Sequence, residues 1–512
     1  MSICCGFLNL RRALCSNNHM KPAHIPGTLI AAALSTLLAA CGSEFDAAAP
    51  QTIAGNTTAP SEAGQPQSPS VDPASQAVKP NSEGYTQSKI TFPSCYNPAS
   101  TSGETVGAHA CSWSFNALKL QSLISQRLPL VQSPFIATHN SFNSSAYPGL
   151  SSSGDPNHTL SIGDQLALGM SGLELDVHWI FHAASQRFAP VICHGVGASQ
   201  GHVGCTPQDR LLADGLKEIR AFLDKPESAG TVLLIDIENA LQAYVPPNGS
   251  EVSIEGHNEA ATLMKEILGV KVFLPAEAGK CNSINPTTFT KQQVLDAGKQ
   301  VVIIGGCGAG TVWPTVVFDM PRKQKANDGF DAKTCEADFF AAADYRSTFT
   351  RIWHDSTRLS SVAIQGLKPI DVTELAAMVK CGLHQPSLDQ LTVGDPRLPV
   401  TVWSWDVAHP KPATSAQCAS MASNGRWRNG NCAQTISYAC RAGDQWKITS
   451  STGAWALGRN VCEAAGMKFD LPRTAADNLK LNEARAVAKA DSVWINWSDT
   501  TGQGNFGVPP AQ

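Results

Sequence analysis

Acidic, amide and imidazole residues lie at the ends of four short apolar segments of this chain. The segments read SPFIATHN, SGLELDVHW, APVICHG and TVLLIDIEN, and so many β-branched and aliphatic residues over so few positions predict buried strands. The polar residues that end them are His139, Asn140, Glu174, Asp176, His194 and Glu238. In a barrel of parallel strands, the residues at the carboxyl ends of the strands face a pocket formed by the loops. We therefore expect these residues to form one site.

The acidic residues have the spacing of a metal site. Glu174 and Asp176 are two positions apart, so on a strand both carboxylates point to the same face. Two carboxylates so close repel each other unless a positive charge lies between them. With Asn140 and Glu238 they form an all-oxygen ligand set, which suits Ca²⁺ better than Zn²⁺, with Mg²⁺ as the alternative ion. The two histidines stay outside this set, and imidazole can accept or donate a proton near neutral pH.

Together the motifs resemble those of a known family. THNSF, GLELDVHW, ICHG and LLIDIEN resemble, in this order, the four motifs of the catalytic X region of phosphoinositide-specific phospholipase C, over roughly residues 130 to 240. The resemblance implies phosphodiester chemistry carried out by His139 and His194. It also implies the metal-dependent branch of the family, because the acidic ELD stands where the metal-independent branch has an arginine. The oxygen ligands named above would then hold calcium.

The substrate and the functional class stay open at this stage. The basic residues that bind inositol phosphates in the eukaryotic enzymes have no convincing counterparts in the sequence, although Arg346, Arg351 and Arg358 lie in the corresponding region. The first hypothesis is a lipid-anchored phosphodiesterase that cleaves a phospholipid or a glycerophosphodiester. The alternative is a non-catalytic, carbohydrate- or surface-binding lipoprotein that reuses the barrel. The presence of both histidines and all the acids favours the enzyme. His178 and Asp236 share strand faces with the ligands, and we expect them either to support the site from outside or to have a purely structural role.

Strand and helix patterns alternate between the motifs. The segments QDRLLADGLKEIRAFL, KQQVLDAG and DVTELAAMVKCG predict helices, each ahead of a strand: TVLLIDIE, KQVVIIGG and LPVTVWSWD. This alternation is typical of parallel strands joined by crossover helices. We predict an α/β fold, a TIM-type (β/α) barrel over residues 93–410. Trp403 and Trp405 lie near its predicted last strand, either at the pocket mouth or in the core.

The composition changes after residue 410, where Trp, Gly, Asn and Cys increase. The segments CASMASNGRWRNGNCAQTISYAC and WKITSSTGAWALGRNVCEAAGMKFDLPRTAADN resemble halves of a C-type lectin-like domain, with the terminal half placed first. The resemblance implies a small disulfide-rich, lectin-like region over residues 411–512. The sequence lacks a clear EPN-like or QPD-like sugar-binding triplet. A carbohydrate-associating region and a purely structural extension are the two alternatives.

The N-terminal part of the sequence predicts a targeting signal and not a folded domain. The stretch GTLIAAALSTLLAA is too short to cross a bilayer comfortably and ends in small residues, as an export signal does. Its Leu-Ala-Ala-Cys ending resembles the lipobox of bacterial lipoproteins. This implies that residues 1–41 are a lipoprotein signal, that Cys41 is acylated, and that the protein lies in the cell envelope, at the outer membrane or cell surface. An ordinary cleaved signal is the alternative. Residues 42–92 have too few large apolar residues to offset their ordering entropy, so we predict a disordered linker.

Cysteine usage and charge limit the partners. Twelve of the 16 cysteines follow Cys41, without CxxC pairs, which predicts disulfides in an exported protein. Pairing of sequence neighbours, such as Cys95 with Cys111 and Cys193 with Cys205, is the simplest prediction, although the sequence alone does not fix the connectivity. A bridge from Cys193 would brace the adjacent histidine. A chain of 512 residues is too long for one ordinary core, which predicts two folded units plus non-globular segments. The net charge of −4 shows no basic surplus, so nucleic acid is not an expected partner.

Overall fold

Strands and helices alternate through the first part of the computed structural model, which describes residues 92–148, 154–243, 251–275, 281–326, 335, 348–358, 360, 362–363, 366–413, 415–499 and 506. The strands of the larger sheet are β1 (Ala137–Thr138), β2 (Gly172–His182), β3 (Arg187–Ile192), β4 (Arg210–Leu211), β5 (Leu233–Ala240), β6 (Val301–Ile304), β7 (Arg322–Ala326), β8 (Thr350–His354) and β9 (Gln385–Leu388). The helices between and around them are α1 (Val106–His109), α2 (Trp113–Ser125), α3 (Ile162–Ala167), α4 (Leu212–Leu223), α5 (Ile254–Leu268), α6 (Lys291–Asp296), α7 (Val372–Lys380) and α8 (Arg397–Thr401).

The parallel strands follow one another in chain order. β1 pairs with β2, β2 with β5, and β5 with β6. On the other side β7 pairs with β8, β8 with β9, and β9 returns to β1. Between β6 and β7, Phe318 forms a parallel bridge with Ile304, and the N–H of Phe318 donates to the Ile303 carbonyl at 2.9 Å. A ring of parallel strands in chain order is the architecture of the predicted (β/α) barrel.

Strand β3 departs from the prediction. The segment APVICHG was expected to add another parallel strand, but β3 runs antiparallel to β2, with Ile192 opposite Val177. The reason is the length of β2, which continues to His182 before the chain turns back. The N–H of Cys193 then donates to the Asp176 carbonyl at 3.3 Å. The residue after Cys193 therefore returns to the level of the acidic residues of β2.

Alternation along β2 separates the core from the site. Leu173, Leu175 and Val177 are fully buried and pack in one cluster with apolar residues of α4 and α5. Because successive side chains of a strand point to opposite faces, Glu174 and Asp176 point away from those helices. Strand β5 repeats this pattern, and its isoleucines join the same cluster. The leucine-acid alternation thus fixes which face of each strand carries the acids.

The predicted helices are confirmed, but one predicted strand is wrong. Helices α4, α6 and α7 lie inside the three segments expected to be helical. The segment LPVTVWSWD does not form the last barrel strand: part of it forms α8, and the last strand of the ring is β9. Tertiary contacts override its strand propensity, because the side chain of Gln121 donates to the Thr401 carbonyl at 3.0 Å and accepts from the Trp403 N–H at 2.8 Å. Trp403 and Trp405 are buried against Trp427, so they belong to the core.

The chain after residue 410 forms a second, mainly antiparallel sheet. Its strands are β10 (Gln417–Met421), β11 (Trp427–Asn431), β12 (Ile436–Ala442), β13 (Gln445–Gly453), β14 (Lys468–Phe469) and β15 (Val493–Asp499), with helices α9 (Gly458–Ala464) and α10 (Ala475–Val487). Apolar residues of this sheet share one cluster with residues of α2 and α7. The lectin-like character of the region stays a prediction.

The disulfide prediction is confirmed. The twelve cysteines after Cys41 pair with their sequence neighbours, as Cys95–Cys111, Cys193–Cys205, Cys281–Cys307, Cys335–Cys381, Cys418–Cys432 and Cys440–Cys462. The predicted signal and Cys41, together with all of the predicted linker up to residue 91, lie outside the described residues. Within the described ranges, none of the helices has both the length and the apolar character needed to cross a bilayer.

Candidate functional site

The carboxyl ends of β1, β2 and β5 bring the predicted oxygen ligands together. β2 and β5 pair with Asp176 opposite Glu238, so the acids of both strands share one edge. Carboxylate oxygens of Glu174, Asp176 and Glu238 all lie within 4.8 Å of one another. Asn140 directly follows β1, and its backbone N–H donates to Glu174 Oε2 at 3.1 Å. Parallel pairing in this register therefore assembles all four oxygen ligands.

The carboxylate cluster carries an unfavourable concentration of negative charge. Glu174 is 4% exposed and Asp176 is 3% exposed. Burial raises the pKa of Glu174 to about 7, with His139 opposing the rise and Glu238 adding to it. Burial, followed by the charges of Glu238 and Glu174, raises the pKa of Asp176 well above its usual range. A bound cation would remove this repulsion.

The Asn140 amide lies between Asp176 and His139. Its NH₂ group donates to Asp176 Oδ2 at 2.9 Å, and its oxygen accepts from His139 Nε2 at 3.2 Å. Rotation of the amide by 180° would present its oxygen to a cation bound at the carboxylates. The donors are all oxygens, as hard divalent cations such as Ca²⁺ and Mg²⁺ require.

His139 lies between two groups of carboxylates. It follows β1, and its Nδ1 lies 3.2 Å from Asp389 Oδ2. Its Nε2 lies 3.6 Å from Glu174 Oε2. Burial alone would lower the pKa of His139, but Asp389 and Glu174, with a smaller contribution from Glu238, raise it to about 9. The imidazole is therefore oriented by one carboxylate on one ring nitrogen and presents the other nitrogen to the side of the site that holds the acidic cluster.

Asp389 is a residue that the sequence analysis did not identify. It follows β9 directly, is fully buried, and its Oδ2 also accepts from the Thr357 N–H at 2.6 Å and from Asn157 Nδ2 at 2.9 Å. Its backbone is fixed as well, because Arg397 Nη2 donates to the Asp389 carbonyl at 2.7 Å. The only signal in the sequence is an acid at the end of the segment HQPSLD, which the misplaced last strand obscured.

His194 occupies the same rim from the antiparallel strand β3. Its Nδ1 lies 3.5 Å from Arg358 Nη1, and Arg358 in turn lies 3.4 Å from Asp155 Oδ2. Burial, followed by the positive charges of Arg358 and His139, lowers the pKa of His194 to about 4. The bridge between Cys193 and Cys205 fixes the chain immediately before His194.

The remaining basic candidates have different positions. Arg351 is fully buried, and its Nη2 donates to the Gly382 carbonyl at 3.1 Å, below the rim. Arg346 lies outside the described residues. Of the three arginines considered from the sequence, Arg358 is therefore the one that contacts a predicted catalytic residue.

Two further groups surround the ligands. His178 Nδ1 lies 2.8 Å from His202 Nδ1, and Arg322 Nη2 lies 3.4 Å from Asp236 Oδ1. His354 follows Trp353 at the end of β8, and its ring centre lies 4.7 Å from that of His139. The sequence analysis did not select His354, whose signal is the polar end of the segment TRIWHD.

The chain is similar to several known proteins. The uncharacterized protein Rv2075c of Mycobacterium tuberculosis is 28% identical over 408 residues, which cover 76% of this chain and 80% of the relative. Among solved structures, PLC21 of S. officinalis is similar at a TM-score of 0.33 with 12% identity, over 51% of this chain and 34% of that chain. A calcium-dependent phosphoinositol-specific phospholipase C from Pseudomonas sp. is similar at a TM-score of 0.29 with 13% identity, over 54% of this chain and 93% of that chain.

The family assignment rests on a sequence match and not on these structural likenesses. A sequence model described as "Rv2075c PI-PLC-like domain" matches residues 100–395. This range is more than half of the 512 residues and includes every predicted catalytic and oxygen-ligand residue and Asp389. The chain therefore belongs to the Rv2075c family of PI-PLC-like domains.

Proposed function

We propose that the protein is a phospholipase C-like phosphodiesterase that cleaves a phosphodiester bond of a phospholipid or a glycerophosphodiester. The observation that carries the proposal is the convergence of an Asp389-bound His139 with three carboxylates whose oxygens lie within 4.8 Å of one another. Membership of the PI-PLC-like family supports the same reaction class.

The side chains would divide the work as follows. His139 and His194 transfer protons to and from the reacting oxygens, and Asp389 holds His139 in the orientation that this requires. Arg358, beside His194, faces the same space with a guanidinium that suits a phosphoryl oxygen. A divalent cation, with Ca²⁺ first and Mg²⁺ second, would neutralise charge on the phosphoryl group and lower the pKa of an attacking hydroxyl. Asn140, Glu174, Asp176 and Glu238 would hold it.

The alternative, a non-catalytic binding protein, explains this arrangement less well. A binding scaffold gains nothing from several acids whose pKa values are raised by burial beside an imidazole with a raised pKa. Strongly perturbed ionisable groups in one cleft are typical of catalytic sites. We therefore favour the enzyme.

The location of the protein is a further part of the proposal. We propose that the chain is exported and anchored in the cell envelope through an acylated Cys41. The C-terminal region would then contact a surface, with carbohydrate as one candidate ligand.

A release assay tests the activity. Purified protein is incubated with a panel of phospholipids and glycerophosphodiesters, with and without a chelator, and the released headgroup is measured. We expect turnover that needs a divalent cation, and a loss of about a hundredfold to ten-thousandfold in His139→Ala and in His194→Ala. His182→Ala is the matched control, because His182 is a buried histidine of β2 that pairs with Ser185 and should leave the rate unchanged. Full activity in both catalytic variants would refute the assignment.

A further inference from the structure

We propose that His139, His354 and Glu174 form a second cation site, selective for a borderline ion such as Zn²⁺, and that its occupation inhibits the enzyme. One oxygen or nitrogen atom from each of these residues lies within 4.8 Å of the others. Two imidazoles and one carboxylate differ from the all-oxygen set next to them, and imidazole nitrogen favours Zn²⁺ over Ca²⁺. The site therefore takes a different ion from the acidic cluster.

The distances fit ligands around an ion better than hydrogen bonds. His139 Nε2 lies 3.6 Å from Glu174 Oε2, and His354 Nε2 lies 3.7 Å from Glu174 Oε1. Both are longer than a hydrogen bond. Two ligands of a tetrahedral Zn²⁺, with bonds of about 2.0–2.2 Å, lie about 3.3–3.6 Å apart. Small side-chain movements would thus complete three ligand bonds.

A buried nitrogen without a partner supports the site independently. His354 Nε2 is inaccessible to solvent and has no hydrogen-bond partner among the described residues. An unpaired buried polar atom is costly. Because this nitrogen faces Glu174 and lies beside the His139 ring, a shared cation would satisfy it.

The second ring nitrogen of His139 is held as metal-bound histidines usually are. His139 Nδ1 pairs with the buried carboxylate of Asp389 at 3.2 Å. Histidines that bind metals typically use the other ring nitrogen to donate to a carboxylate, which fixes the tautomer and the ring orientation. An ion would therefore meet His139 Nε2 in an already oriented ring and would replace the contact of this nitrogen with the Asn140 amide at 3.2 Å.

Occupation of this site should stop catalysis. A cation on His139 Nε2 uses the electron pair that proton transfer requires, and Glu174 would be shared with the acidic cluster. This inhibitory consequence rests on the proposed function, whereas the binding itself does not. The site would make the enzyme sensitive to free Zn²⁺ in its surroundings.

Calorimetric titration of the full chain with ZnCl₂ and, separately, with CaCl₂ tests the binding. We expect His354→Ala to weaken Zn²⁺ binding at least tenfold and to change Ca²⁺ binding less than twofold. Glu238→Gln should weaken Ca²⁺ binding at least tenfold and change Zn²⁺ binding less than twofold, because Glu238 belongs only to the acidic cluster. His354→Gln repeats the test with a polar side chain, and thermal unfolding of each variant verifies its fold. His182→Ala is the control and should change neither titration.

Inhibition is measured against each variant's own zinc-free rate. The Zn²⁺ concentration that halves the rate should rise at least tenfold in His354→Ala. If no phosphodiester is cleaved, the proposed function fails while the calorimetry still decides the binding. Two results would overturn the second site. One is an unchanged Zn²⁺ affinity in both His354 variants. The other is an equal loss of Zn²⁺ and Ca²⁺ affinity in His354→Ala and in Glu238→Gln.

Discussion

Replacement of Asp389 by Asn isolates the contribution of one buried charge. The three closest hydrogen bonds of Asp389, to the Thr357 N–H, Asn157 Nδ2 and His139 Nδ1, all end on Oδ2. Its Oδ1 has no hydrogen-bond partner among the described residues and lies 3.8 Å from His158 Nε2. An asparagine can therefore place its oxygen at the Oδ2 position and its NH₂ group at the Oδ1 position. The hydrogen bonds remain and the negative charge is lost.

The pKa of His139 sets the size of the effect. Burial lowers this pKa, but the carboxylate neighbours outweigh burial and raise it from 6.5 to about 9, a net preference for the protonated ring of about 3 kcal/mol. Asp389 is the largest of the contributions that raise the pKa. We expect Asp389→Asn to lower the pKa by about one to two units and kcat by about tenfold to a hundredfold. KM should change little, because Asp389 acts through His139.

The same shift gives the sign of a pH effect on stability. Because the folded-state pKa of His139 is raised, its stabilising contribution is complete below about pH 6.5 and is lost as the pH rises through about 9. In cation-free Asp389→Asn this loss should be smaller and should end at a lower pH, because the folded-state pKa lies closer to 6.5. Denaturant unfolding between these pH values measures the difference.

Two measurements decide the Asp389 prediction. NMR titration of labelled histidines gives the pKa of His139 without any substrate, and kcat and KM are followed over pH on the diester found by the release assay. Asp477→Asn is the matched control, since Asp477 is a largely buried carboxylate of the C-terminal region that pairs with Arg441 at 2.9 Å. An unchanged His139 titration in Asp389→Asn would refute the reasoning, as would a raised KM with normal kcat.

Three further predictions concern the ion, the substrate surface and the anchor. Ca²⁺ should raise the melting temperature because it binds only the folded site. Asp176→Asn should reduce this rise in a thermal scan, and an equal rise in the variant would contradict the ligand assignment. Phe181 and Phe188 are 40% and 52% exposed on the β2–β3 hairpin beyond the acids. Replacing both with Ser should slow the cleavage of vesicle substrates about tenfold but should not slow the cleavage of a soluble diester. Equal rates of the variant and the wild type on vesicles would exclude a membrane contact at this hairpin. Cys41→Ser should move the protein from the detergent phase to the aqueous phase, and wild-type protein without added mass at Cys41 would show a cleaved signal instead.

The features of the fold that follow from local patterns could be predicted from the sequence. The apolar period of α4 and the buried runs of β2 and β5 report their own environment, because each pattern depends only on which face is buried. The antiparallel direction of β3 could not be predicted in this way. Its direction depends on how far β2 continues beyond the rim, and the composition of β3 is the same in either direction. The helical conformation of α8 was missed for a related reason, since contacts with α2 decide it.

Some residues of the candidate site could also be predicted from local patterns, and others could not. Glu174 and Asp176 were identifiable because one strand places both on one face, and Glu238 because β5 repeats that pattern. Asp389 and His354 contact the site from single polar positions at the ends of β9 and β8. A single polar residue at the end of a short strand forms no repeating pattern from which its role could be predicted. Their importance comes from pairing between strands that are distant in the sequence, with β9 beside β1. Since β9 pairs with β1, the carboxylate that orients His139 comes from a residue 250 positions later. Loss of the β1–β9 pairing should therefore impair catalysis before it unfolds the acidic cluster on β2 and β5.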